Sequence, residues 1–495
     1  MVTTVGFSTG AHDVSYSVLR DGKPVIHAEI ERYNRQKECN ADTLRHYLDN
    51  KDKFPTPETG LAFEMPWKGG VKTMYPDSYK DFIREFGDLK FVPHHTAHAA
   101  NAFFSSNFKQ ALIISLDGGG TEEGVDTAFC VYEGNDKHIS RLAISSLHKF
   151  NIGGVWSKTC DMLLERGVGN QSGTLMAMAA FGEPQDDLVD MFTAAISRCG
   201  QLTFSTDNIF DVCAALQKST ENIIEEILLQ YKHVSNNVCF VGGVALNSSC
   251  LGKLAMKYPE LTFYVPPVPY DSGLALGVSQ LYHHSYLGVD RVVWDPFFSP
   301  YLGESYTVPD SILSCGRSSN LEEVVKLLEE GKIISVYQGN SESGRRALGN
   351  RSILASPFDI SIKDKINSKV KNRQSFRPFA PSVLKEDTLK YFERDVDSPY
   401  MSLCIPFNSY GKSTAPGVVH EDGTGRLQTV HESLNKNYYD LLSAWKSLTG
   451  ESIILNTSFN NREPIVETPQ DALNCFNKTD IDCLYYADHG VLLTK

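Results

Sequence analysis

Short apolar, β-branched runs bounded by turn residues set the pattern of the first third of the chain. Residues 2–9, 14–19 and 25–31 read as three strands, the last two joined by the turn Arg20-Asp21-Gly22-Lys23. Residues 111–116 form a further apolar strand, and 127–132 and 138–147 continue a second sheet. Helical spacing takes over in 155–164 and 173–181. It is clearest in 210–231, whose apolar positions recur every three or four residues and so predict a core-facing stripe. Residues 238–241 and 261–265 return to strand, and 273–283 to helix. Around Pro296, Pro300 and Pro309 the pattern breaks up, which predicts a boundary separating residues 1–305 from 306–495. A helix over 321–330 and a strand over 333–337 open the second part. This mixture of strands and helices is that of an α/β protein.

The bulk numbers narrow the function. The 495 residues suffice for more than one domain with its own core. A net charge of −13 argues against a broad surface for duplex DNA or an anionic membrane, both of which need a basic face. No apolar run is long enough to span a bilayer, and Met1-Val2-Thr3-Thr4 has neither a basic nor an apolar leader character. The 11 cysteines are scattered, with no Cys-x-x-Cys pair, so the expectation is a reduced, cytoplasmic protein.

Candidate chemistry lies in four stretches. In Pro93-His94-His95-Thr96-Ala97-His98, the two outer histidines are four residues apart and on a helix would share one face, within reach of one metal ion. Asp271, after Pro266-Pro267-Val268-Pro269-Tyr270, is the candidate carboxylate; two imidazoles and a carboxylate suit iron, zinc or manganese. Ordinary histidines at a helix start are the plain alternative. Asp117-Gly118-Gly119-Gly120, at the end of a strand, offers a carboxylate for Mg2+ and bare amides for phosphate. With the loop Gly6–Asp13, it fits the paired phosphate hairpins of actin/sugar-kinase-type ATPases, built from two RNase-H-like lobes. Gly242-Gly243-Val244-Ala245-Leu246-Asn247 suits an adenosine-binding turn, or a plain β–α turn. Finally, Arg345, Arg346 and Arg351, then Lys369, Lys371, Arg373 and Arg377 beside Pro378 and Phe379, crowd positive charge into an acidic chain. That points to an anionic ligand, against the alternative of a solvated basic face.

Arg346-Ala347-Leu348-Gly349-Asn350-Arg351-Ser352, Phe376-Arg377-Pro378-Phe379-Ala380-Pro381-Ser382 and Leu455-Asn456-Thr457-Ser458-Phe459-Asn460 occur in this order. Through them the chain resembles the O-carbamoyltransferases of antibiotic and nodulation-factor biosynthesis. The resemblance spans nearly the whole sequence. It implies an ATPase-fold domain similar to the subunit that transfers threonylcarbamoyl to tRNA, followed by a YrdC-like α/β domain. It also implies an activity: carbamoyl phosphate is split, the carbamate is adenylated with ATP and Mg2+, and the carbamoyl group passes to a hydroxyl. The acceptor would be a sugar, an antibiotic core or a 5-hydroxymethyl-pyrimidine nucleotide. By this resemblance His94, His98 and Asp271 would bind the metal, with Fe2+ typical and Zn2+ or Mn2+ as alternatives. Asp117, Gly118, Gly119, Gly242, Gly243 and Asn247 would hold ATP. His12 and Lys37 would act near the phosphates and the transferred group. Arg346, Lys371, Arg377, Arg426, Asn456 and Ser458 would hold carbamoyl phosphate, with Arg346 and Arg377 also assisting its cleavage. Because carbamate is unstable in water, an enclosed passage between the two domains is expected.

Three positions depart from the family pattern. Thr174 stands where a lysine is expected, Arg345 where a proline is usual and Asn340 where an arginine is common. A tRNA threonylcarbamoyl-type transferase is the second reading, disfavoured by the retained carbamoyl-phosphate motifs. A degenerate nucleotide-binding partner protein is the third. The acceptor, the native metal and the oligomeric state are not encoded in these patterns, and a homodimer stays open.

Overall fold

The computed structural model describes residues 1–10, 12–63, 70–164, 171–198, 200–205 and 207–495. The chain divides into two compact units, residues 1–250 with 257–298, and residues 251–256 with 299–495. Each is described on its own.

The first unit holds two five-stranded sheets. One contains β1 (Thr3–Ser8), β2 (Ser15–Arg20), β3 (Lys23–Glu29), β4 (Thr59–Phe63) and β5 (Lys90–Val92), in the order β3-β2-β1-β4-β5. The first three strands are antiparallel, and β4 and β5 run parallel to β1. The other contains β6 (Gln110–Glu122), β7 (Val125–Asn135), β8 (His138–Ser146), β9 (Asn237–Val241) and β10 (Thr262–Tyr264). Its order, β10-β9-β6-β7-β8, repeats the same plan: an antiparallel meander with two parallel strands added beside its first member. Two copies of this plan are the two RNase-H-like lobes of the ATPase fold expected from the sequence. The short strands β4 and β5 carry no pattern long enough to be read in advance.

Three helices matter for the site: α1 (His94–Ser105), α2 (Ile209–Tyr231) and α3 (Leu274–Leu281). The predicted helix over 273–283 ends early, passing into a wider turn over Tyr282–Tyr286. Helix α3 lies on β1 and against α1, and the approach is close enough to require glycine. A Cβ at Gly6 would meet the Ala275 carbonyl at 2.1 Å, and one at Gly277 would meet the Ala97 carbonyl at 1.9 Å. The alanines of α1 are therefore a packing surface. Val5, Phe7, Tyr16, Tyr47 and Phe82 fill the core beneath the first sheet.

The second unit is built on a mixed nine-stranded sheet: β11 (Arg317–Ser318), β12 (Ile334–Tyr337), β13 (Arg351–Ala355), β14 (Ala380–Leu384), β15 (Leu403–Pro406), β16 (Thr424–Val430), β17 (Ile453–Ser458), β18 (Cys483–Tyr486) and β19 (Val491–Thr494). Its order is β11-β19-β18-β12-β13-β17-β14-β16-β15. Helix α4 (Lys436–Thr449) buries Tyr438, Leu441, Leu442 and Trp445 against Ile334, Val336, Leu354 and Ile454 of the sheet. The motif Leu455–Asn460 that carries part of the resemblance thus begins in the last residues of a central strand, β17. No described helix is long and apolar enough to cross a membrane.

Candidate metal and anion sites

Pro93 sets the entry to α1 and leaves the first turn free to carry side chains inward. His94 and His98 project from one face, their ring centroids 4.8 Å apart, and both are buried. His98 Nε2 is 2.9 Å from Asp117 Oδ2 and 3.3 Å from Asp271 Oδ1; His94 Nε2 is 3.8 Å from each of the same oxygens. One donor atom from each of the four residues lies within 4.8 Å of every other. Asp271 is aimed here because Asn101 of α1 donates from Nδ2 to the Val268 carbonyl at 2.7 Å, pinning the proline-rich approach to it.

The fourth member, Asp117, was read from sequence as a nucleotide carboxylate. It joins the histidines because it follows Ser115, two residues earlier, on the face of β6 that meets α1; β6 then breaks register between Leu116 and Gly120, with three residues passing opposite one of β7. Its carboxylate also accepts from the amides of Gly118 at 2.6 Å and Gly243 at 3.3 Å. Gly242, with φ +90°, makes that turn, and a Cβ there would meet the Leu116 carbonyl at 2.0 Å. Gly119 is part of the same break in β6.

The electrostatics follow. Burial alone would depress His98, but hydrogen bonds to Asp117 and Asp271 lift it to about 9. Burial would raise Asp117, yet the bonds to His94 and His98 hold it well below the usual carboxylate range. Two imidazole nitrogens and two carboxylates that hold a proton this firmly form a donor set that suits a divalent transition metal. His12 Nδ1 lies 3.0 Å from Asp13 Oδ2, and that bond, opposed by burial and helped by Asp271, raises His12 to about 9. Lys37 is exposed in a turn beyond the short helix Ile30–Asn34.

Asn247 is committed internally. It exchanges hydrogen bonds with Gln217 of α2 at 2.9 and 3.2 Å and accepts from the Cys250 amide at 3.0 Å. Thr174 is buried, its amide bonded to the Gln171 carbonyl at 2.7 Å, and brings no positive charge to the place where a lysine was expected.

In the second unit the arginines separate into two kinds. Arg351 is fully buried: it donates to the carbonyls of Gln338, Gly339 and Asn350 at 2.6 to 3.0 Å and stacks 3.7 Å above Tyr337. It is a strut. Arg346, Arg373, Arg377 and Arg426 instead form a cluster in which Arg377 and Arg426 act on Arg346 and on Arg373, and Arg426 acts on Arg377. Loss of water and the neighbouring guanidinium groups hold Arg346, Arg373 and Arg377 below the normal arginine range, and loss of water does the same to Arg426. Arg373, one of the cations crowded beside Pro378 and Phe379 but not among those the resemblance assigns to carbamoyl phosphate, is fixed by Asn367 at 2.7 Å and lies 4.9 Å from the Phe379 ring centre.

Buried polar groups hold this cluster's loop. Glu342 Oε1 accepts from the amides of Leu348, Asn350 and Arg351 at 2.6, 2.7 and 3.2 Å, gathering the turn that carries Arg346. Asn456 Nδ2 donates to the Ala347 carbonyl at 3.1 Å and to Gln428 at 2.9 Å. Lys371 is buried, its ammonium bonded to the Ser458 carbonyl, to Ser458 Oγ at 3.2 Å and to Asn460 Oδ1 at 2.7 Å. In this structure Lys371, Asn456 and Ser458 brace the end of β17.

Two ATPase-type lobes thus carry a buried group of four residues that could hold a metal ion, and the sheet unit carries a cluster of arginines. The chain belongs to the carbamoyltransferase family: residues 77–208 match the family described as Carbamoyltransferase N-terminus, and residues 325–493 the Carbamoyltransferase C-terminus. It is similar to Nodulation protein NolO of Bradyrhizobium diazoefficiens, 33% identical over 79% of this chain and 77% of that protein. It is also similar to Nodulation protein NolNO of Sinorhizobium fredii, 28% identical over 96% of this chain and 78% of that protein. The 3'-hydroxymethylcephem-O-carbamoyltransferase of Amycolatopsis lactamdurans is 31% identical over 61% of each chain. Among solved structures, T. kodakarensis HypF aligns over 58% of this chain and 48% of its own, with 16% identity and a TM-score of 0.39.

Proposed function

We propose that the protein is an O-carbamoyltransferase that draws its carbamoyl group from carbamoyl phosphate, activates it with ATP and delivers it to the hydroxyl of a small molecule. The observation that carries this reading is the arginine cluster. Four guanidinium groups converge, and the charges acting on Arg373 and Arg377 are other guanidinium groups. Like charges held together at the expense of their own solvation await an anion. Carbamoyl phosphate is such an anion, and its cleavage adds negative charge to the departing phosphate, which fixed arginines stabilise.

Water would cleave carbamoyl phosphate to carbamate and inorganic phosphate, and the carbamate oxygen would attack the α-phosphorus of ATP, expelling pyrophosphate and forming carbamoyl-adenylate. The acceptor oxygen would then attack the carbamoyl carbon, and AMP would leave. Gly118, Gly119, Gly242 and Gly243 offer the bare backbone for the nucleotide phosphates. His12, favoured in its protonated form by Asp13, would steady the departing AMP phosphate. Lys37, exposed in its turn, would act near the nucleotide phosphates. His94, His98, Asp117 and Asp271 would hold the metal, Fe2+ first and Zn2+ or Mn2+ as alternatives. When bound, it would supply Lewis-acid polarisation of the carbamoyl carbonyl. The acceptor class, a hydroxymethyl-bearing sugar, antibiotic core or nucleotide, follows the resemblance read from the sequence, and the name of the 3'-hydroxymethylcephem-O-carbamoyltransferase supports a hydroxymethyl acceptor.

The test is incubation of the purified protein with ATP, Mg2+, Fe2+, carbamoyl phosphate and a panel of hydroxymethyl compounds, read by mass spectrometry. One acceptor gaining a carbamoyl group supports the reading. Modification that requires threonine and bicarbonate in place of carbamoyl phosphate would replace it with a threonylcarbamoyl transfer.

A further inference from the structure

Helix α1 carries two of the four metal donors, yet Pro93 at its entry gives its first turn no side-chain cap. The cap comes from a distant strand. Glu122, at the end of β6, is completely buried; its Oε2 accepts from the Thr96 backbone amide at 3.1 Å and its Oε1 from Thr96 Oγ1 at 2.6 Å. Arg141 of β8, 3.4 Å away, balances its charge. A buried carboxylate on the first turn of a helix completes free N–H groups and lies at the favourable end of the helix dipole.

The strand that supplies this cap also supplies Asp117. Ser115 Oγ contacts His95 Nδ1 at 2.8 Å, and Asp117 contacts His98. Beyond the break in register, Gly120 lies under the His94 ring, where a Cβ would come within 2.3 Å, and Glu122 holds Thr96. Odd positions face α1 before the break and even positions after it. In a regular strand, with its two-residue period, Asp117 and Glu122 would point to opposite faces. The break lets a single strand clamp the helix backbone and present a ligand to it.

We propose that Glu122 is a positioning residue of the metal centre, fixing the first turn of α1 so that His94 and His98 meet Asp117 and Asp271. This rests on those four residues being the metal site. Outer groups that orient metal ligands contribute about 10–100-fold to metal affinity.

The test uses the full-length chain stripped of metal and titrated with Co2+ against a chelator, recording the visible spectrum and the thermal midpoint. Glu122→Ala is expected to bind Co2+ about 10–100-fold more weakly with an altered d–d spectrum, and Glu122→Gln, which keeps an acceptor for Thr96, to recover most of the affinity. Thr96→Val removes only the hydroxyl bond and is expected to lose a smaller part, which serves if Glu122→Ala does not fold. Wild-type affinity and spectrum in folded Glu122→Ala or, if that variant is unfolded, in Thr96→Val would overturn the role, leaving Glu122 a cap for stability alone. Absence of Co2+ binding by the wild-type chain would overturn the metal centre and this role with it.

Discussion

Arg377→Ala removes one guanidinium from a cluster in which its principal charged neighbour is Arg426. Function and stability should move in opposite directions. A charge-assisted hydrogen bond to a bound anion contributes about 1.5–3 kcal/mol, so kcat/KM for carbamoyl phosphate should fall by about 10–150-fold, and further if both bonds of a bidentate contact are lost. The fold should not suffer in proportion. The backbone of residue 377 stays anchored, since its carbonyl accepts from Asn367 Nδ2 at 2.9 Å, and the substitution removes a positive charge that Arg426 opposes. The thermal midpoint without ligand should therefore stay the same or rise. Phosphate, binding only the folded chain, should stabilise the wild type, by about 2.7 kcal/mol at a hundred times its dissociation constant, and the variant much less. The assay pairs carbamoyl-phosphate-dependent turnover with thermal unfolding in the presence and absence of phosphate. Turnover within twofold of wild type, or an unchanged phosphate-induced shift, would refute the anion-site argument. A large fall in the ligand-free midpoint would show that Arg377 is a strut, like Arg351.

Other outcomes follow from the same geometry. His94→Ala should lower bound metal and stop transfer while carbamoyl-phosphate cleavage persists; equal loss of both activities would contradict a division of labour between the two constellations. Gly277→Ala should destabilise by about 3 kcal/mol, because its Cβ would meet the Ala97 carbonyl at 1.9 Å; a change below about 0.5 kcal/mol in denaturant unfolding would show that α1 and α3 can part. His27 is buried, donates from Nε2 to the Ser272 carbonyl at 3.0 Å, and is lowered to about 4, chiefly by burial. It stays neutral in the folded chain while the unfolded chain takes up a proton below about 6.5. Its contribution is therefore complete above pH 6.5 and is lost as pH falls toward 4, by about 1.4 kcal/mol per pH unit. His27→Gln should reduce the slope of stability against pH across that window, and an unchanged slope would exclude it.

What could be read in advance was local. The first three strands, the long helix of residues 209–231 and the spacing of His94 and His98 are carried by neighbouring residues, and they stand in the structure within a few positions of where the pattern put them. Asp271 is recognisable because three prolines and a tyrosine stiffen its approach. What escaped depends on partners far along the chain. Asp117 reaches the histidines because its face of β6 packs on α1, a contact between elements that the residues beside it do not show. Nothing near Glu122 in sequence shows that Thr96 is its partner. Lys371 and Arg351 read as cations positioned for an anion because burial by β17 and by Tyr337 is not written in the residues beside them. Strands β4 and β5 were too short to signal, and they are held by pairing with β1.

The account stands or falls on whether carbamoyl phosphate is the source of an ATP-activated acyl group. The direct measurement is pyrophosphate release by the purified, metal-loaded protein with ATP and carbamoyl phosphate supplied singly and together. Release only when both are present is the predicted result. Release from ATP at the same rate without carbamoyl phosphate, or none under any condition that yields folded, metal-bound protein, would contradict it.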